Sequence, residues 1–221
     1  GDVVLAGEAL VNIGELLVDE GRLEDAQRKL RRALSLWRGA GFPVGIGVAL
    51  MNLGRAAARR GDDEQAEEFL TRARETLEAI GSEQTVDVAV REGERLVLRG
   101  RGRSALPGLE AARAEAVRRG GAPVLLAQID RLRAAAHAQD GELPAALELL
   151  DASQRAAAGT PYEAALTTDL RARLAPLAGE AVDEAAWRAA LDELRRLGVE
   201  RIWPPPVAGA AHDDNGVEVP R

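Results

Sequence analysis

Leu10-Val11-Asn12-Ile13-Gly14 recurs forty positions later as Leu50-Met51-Asn52-Leu53-Gly54. The residues after each copy repeat as well. Gly21, Ala26, Leu30 and Ala33 keep the same offsets from the first copy as Gly61, Ala66, Leu70 and Ala73 from the second. A period between about 20 and 50 residues means stacked supersecondary units, each burying an apolar face on its neighbours. The apolar residues within a unit recur every three or four positions, the spacing of one helix face. No alternating strand pattern of useful length accompanies them.

The pattern continues with decay. Ala89, Gly93, Leu96, Gly100, Ala105, Leu109 and Ala112 fit the template thirty-nine positions further on. A fourth copy keeps Gly141, Ala146 and Leu150, and a one-residue slip in its first helix puts Ile129 and Leu132 on the buried face. A fifth helix pair, about 161–176 and 183–197, keeps the apolar period without the glycine and alanine marks. The expected fold is an all-α, right-handed superhelical solenoid of about five antiparallel helix pairs. Its repeats fall at about 2–41, 42–81, 82–120, 121–158 and a degenerate 159–198. A proline-containing tail, 199–221, comes after them.

Local signals agree. Gly21, Gly61, Gly100 and Gly141 punctuate the turns inside the pairs, where positive φ is needed. Pro43 and Pro123 suit first helical turns, where a missing N–H is harmless. Thr160-Pro161-Tyr162-Glu163 reads as a capping box. Ser104 and Asp183 read as helix caps. Pro204-Pro205-Pro206 ends any helix, and Ile202 and Trp203 just before it are expected to plug the last repeat. Gly54 is expected where the helices of its pair cross at close range.

Composition narrows the function. Apolar residues are 46% and aromatics 3%, so a core of Leu, Ala and Val is required. There is no cysteine, which excludes disulfides and thiolate sites. No apolar run is long enough to span a bilayer, and no signal peptide opens the chain. Gly1 in place of an initiating methionine suggests a piece of a longer protein, and the expected compartment is the cytoplasm. The formal net charge of −7 argues against a nucleic-acid groove. Residues 62–78 carry seven acids against Arg72 and Arg74, and residues 91–119 carry eight Arg against four Glu. These runs read as solvated faces, or as a basic patch for an acidic partner.

The order L-G, G, A, L or F, A resembles the tetratricopeptide repeat, a helix–turn–helix unit. Leu10 and Leu17, then Leu50 and Ala57, replace the large aromatics of that family's first helix. The longer period is similar to the variants of kinesin light chains and of large bacterial signalling and transcription regulators. In such regulators the array comes after a nucleotide-binding switch domain and an output domain. The resemblance implies a non-catalytic interaction or sensing module that needs no cofactor. Its partner would be a protein or peptide, including a domain of the same full-length protein, with no nucleic acid and no membrane.

The resemblance also implies that the first helices line a concave groove. Asn12 and Asn52 would grip an extended backbone there, because an amide both donates and accepts. Glu15, Arg55, Arg59, Arg91 and Glu94 would add charge selectivity. A bridging role between helices is the alternative for the two Asn. Catalysis has little material. His137 and His212 have no metal-ligand spacing, and no phosphate loop or nucleophile elbow is present. Two rival readings are a small-molecule effector pocket lined by Trp37, Trp187 or Tyr162, and a structural spacer or dimerisation arm.

Overall fold

The computed structural model describes residues 2–199. Among them are ten α-helices and no strand. Helix α1 spans Asp2–Asp19, α2 Leu23–Ala40, α3 Pro43–Arg60, α4 Asp63–Glu78 and α5 Thr85–Leu98. Then come α6 (Gly102–Arg118), α7 (Pro123–Gln139), α8 (Leu143–Ala156), α9 (Pro161–Leu174) and α10 (Glu184–Arg196), with a 3-10 turn at Pro176–Ala178 before α10. Each helix packs on the next. The first helices also touch one another in series, α1–α3, α3–α5, α5–α7 and α7–α9, whereas α2, α4, α6 and α8 do not. The stack therefore curves with the first helices on its inner side. No helix among the described residues is long and apolar enough to cross a membrane.

Small residues set the spacing inside each pair. A methyl group at Gly14 would lie 2.7 Å from Leu30, and one at Gly54 would lie 2.7 Å from Leu70. Gly93 stands against Leu109 in the same way. The Gly54 crossing is thus where the repeat pattern puts it. Trp37 is wedged between Gly7 and Gly45, with no room for a side chain at either. In the fourth pair, Ile129 is fully buried and Ala134, Ala135 and Ala136 take over the close packing. The turn glycines Gly21, Gly61, Gly100 and Gly141 all have positive φ.

Two capping expectations fail. The Thr160 hydroxyl donates to the Ala157 carbonyl, back toward α8, and so does not cap α9. Glu163 is drawn instead to Arg131 of α7. Helix α6 begins at Gly102, so Ser104 lies inside it and Pro107 is carried within the helix. Asp183 does cap α10, accepting from the Ala186 N–H at 2.9 Å. The tail and the Ile202–Trp203 plug lie outside the described residues.

Candidate functional site

On the inner side, α1, α3 and α5 bring a set of charges together. Asp19 accepts from Arg55 Nη2 at 2.6 Å and lies 3.4 Å from Arg59 Nη1. Glu94 lies 3.0 Å from Arg59 Nε, 3.0 Å from Arg91 Nη1 and 3.5 Å from Arg55 Nε. Arg55 and Glu94 are buried, and Arg59, Arg91 and Asp19 nearly so. The forty-residue phase explains the pairing. Glu15 and Asp19 of α1 stand where α3 has Arg55 and Arg59, so acids of one unit face cations of the next.

The shared surroundings fix protonation. Burial favours neutral Glu94, but Arg59, Arg55 and Arg91 outweigh it and hold the carboxyl far below its usual range. Burial likewise opposes the Arg55 charge, and Glu94 and Asp19 outweigh it. Arg91 differs: burial and repulsion from Arg55 lower its pKa despite Glu94. Its Nε is buried and has no hydrogen-bond acceptor among the described residues, as is also true of Arg55 Nε. Tyr162 of α9 faces the same cluster, its phenol pushed up by burial and by Asp19. Near neutral pH Glu94 is a counter-ion and not a proton donor.

Of the seven residues expected in the groove, Arg55, Arg59, Arg91 and Glu94 come together. The two Asn do not form a ladder. Asn52 is fully buried, and its amide donates to Glu15 Oε1 at 2.9 Å and to the Val48 carbonyl at 3.2 Å. It ties α3 to α1 and leaves no path to a peptide backbone. Asn12 is exposed on α1. Asp19, Tyr162 and the Arg131–Glu163 pair are inner-face groups that the repeat template misses. Asp19 had a signal, one helical turn beyond Glu15. The others lie in the decayed repeats, where the template gives no register.

The acidic and basic runs meet in part, and other cations of the basic run find acids further along the chain. Arg95 pairs with Asp63 at 2.8 Å, and Arg103 and Arg113 pair with Asp140 and Asp130. The aromatic pocket does not form. Trp37 is core, and Trp187 donates to Asp169 at 2.7 Å. His137 bonds Glu142 across the α7–α8 turn.

Residues 5–79 match the family model of the tetratricopeptide repeat. No curated protein matches the sequence. Solved structures that share the fold include two at TM-score 0.56. One is from a functional characterisation of Pseudomonas aeruginosa pilF, at TM-score 0.56 and 17% identity, covering 91% of this chain and 80% of that one. The other is a kinesin light chain-like protein of Podospora anserina with nearly identical TPR-like repeats, at TM-score 0.56 and 16% identity, covering 86% and 93%. The fold is therefore a tetratricopeptide-like helical solenoid. Proteins of this architecture are typically non-catalytic scaffolds that bind other proteins.

Proposed function

We propose that this chain is a non-catalytic protein-interaction module whose inner, first-helix face takes an acidic segment of a partner protein. The observation that carries this reading is the sharing of one carboxylate, Glu94, by three guanidiniums. Arg91 is the least satisfied of the three. Its one hydrogen bond among the described residues runs from Nη1 to Glu94, and its side chain stays 16% exposed, so an incoming carboxylate that met the open part of this guanidinium would add a charge-assisted hydrogen bond in a partly desolvated place, where such bonds are strongest. In this reading the chain is the sensing segment of a larger cytoplasmic regulatory protein of bacterial type, a part of the proposal that rests on the resemblance of its repeat alone. Its partner belongs either to another protein or to a second domain of the same polypeptide.

The test is a titration with short synthetic peptides of matched length, acidic and basic. The acidic peptide is expected to bind and the basic one not. Arg91→Gln should weaken the acidic peptide roughly 10- to 100-fold, the range for losing a hydrogen bond to a charged group. The melting temperature of the variant controls for folding. Equal affinity for both peptides, or an unchanged affinity in the folded variant, would refute the reading.

A further inference from the structure

Helices α1 and α3 are forty-residue equivalents, yet one side of α1 is bare. Leu5, Ala9, Asn12, Ile13 and Leu16 lie along that side at helical spacing, and all are exposed, Leu5 at 63% and Leu16 at 64%. The positions forty later are Gly45, Ala49, Asn52, Leu53 and Ala56. All five are buried, because α1 and α2 pack against that side of α3. The far end of the stack is different. Helix α10 leaves Glu184, Arg188, Asp192, Arg195 and Arg196 on its outer side, all five exposed. An end unit needs a polar outer face of that kind. Helix α10 has one and α1 does not.

We infer that the Leu5–Leu16 face of α1 is a repeat-stacking surface, covered by a further helix pair of the same design joined ahead of α1. The face continues an interface already present between the first and second pairs. Asn12 occupies the Asn52 position, so the covering first helix should offer an acceptor where Glu15 serves Asn52. Leu5 stands where Gly45 admits Trp37, so the covering second helix carries something smaller than Trp there. A second copy of α1 fits poorly. Helix α1 has no Lys or Arg, and Asp2, Glu8 and Glu20 flank the stripe. Two such faces would bring acids together with nothing to neutralise them.

The experiment compares the 221-residue chain with an extended chain in which a copy of residues 41–80, carrying R55E to supply the acceptor, directly precedes Gly1. Gly1 then takes the phase of Gly41. A second extension, from residues 1–40 with W37A, guards against the failure of one design. Each is made with and without Leu16→Glu. In the 221-residue chain the substitution is on an open surface and should move the melting temperature by no more than about 2 °C. In an extended chain it should lower the melting temperature by several degrees, and the added helices should share the hydrogen-exchange protection of α1. Equal shifts in both chains, or added pairs in both designs that exchange as unfolded chain, would overturn the inference. So would a dimer at sedimentation equilibrium that Leu16→Glu dissolves. Loss of α1 protection on deleting 200–221 would make that segment the cover and overturn it too.

Discussion

Replacing Gly54 by leucine puts a side chain where none fits. Its Cβ would lie 2.7 Å from Leu70 Cγ, 2.8 Å from Leu70 Cδ2 and 3.3 Å from the Ala66 carbonyl oxygen. Leu70 is almost wholly buried and cannot swing away, and the carbonyl belongs to the α4 backbone. Overpacking of this kind costs roughly 1–3 kcal/mol. Leucine regains about 1 kcal/mol over glycine in helix propensity, so the raw change understates the clash. Gly108 supplies the reference. It lies exposed within α6, and a methyl group there would meet nothing within 4 Å, so Gly108→Leu gains the same propensity without the clash. The two variants should differ by about 1–3 kcal/mol in denaturant titration, with Gly54→Leu the weaker. Leu70→Ala alone should cost about 2–5 kcal/mol. Combined with Gly54→Leu it should cost less than the sum, since the new side chain refills the space. Equal stability of Gly54→Leu and Gly108→Leu would refute the packing argument.

Trp37→Ala empties the slot between Gly7 and Gly45 and should cost about 3–5 kcal/mol, read from the same titration. Asp183→Ala removes the α10 cap and should cost about 1 kcal/mol, with faster amide exchange confined to the start of α10. Glu94→Gln strips three guanidiniums of their common counter-ion and should cost about 3–5 kcal/mol at neutral pH. The pH dependence comes from the depressed pKa. Glu94 stabilises the fold fully above its ordinary value of 4.5, and that contribution is lost as pH falls through the lower folded value. Acid unfolding of the parent should therefore be steeper below about pH 4.5 than that of Glu94→Gln. Parallel acid limbs would contradict this.

The repeat told most of the architecture because glycine and alanine at fixed offsets report helix crossings directly. Gly14, Gly54 and Gly93 each meet the Leu sixteen residues on. The same repetition misled at Asn12 and Asn52. Recurrence shows that a position matters in every unit, but not whether its neighbour is a ligand or the preceding helix. Only the packed helices show Asn52 turned toward Glu15. The charge network was half legible. The resemblance puts Arg55, Arg59, Arg91 and Glu94 on one inner face, while Asp19, which pairs with Arg55 and Arg59, comes from the previous unit. The Thr160 capping box failed because a local motif competes with tertiary pairing, and Arg131 won Glu163.

If the inner face receives an acidic segment through Arg91, the arginine side chains should report it. Their Nε–H resonances can be followed by NMR while a short acidic peptide is added. The Arg91 signal should move as its guanidinium gains a second carboxylate beside Glu94. Arg59 should move with it, and Arg72, paired with Glu68 on α4, should stay in place. Movement at Arg72 with Arg91 unchanged would put the acidic segment elsewhere and remove the inner-face assignment.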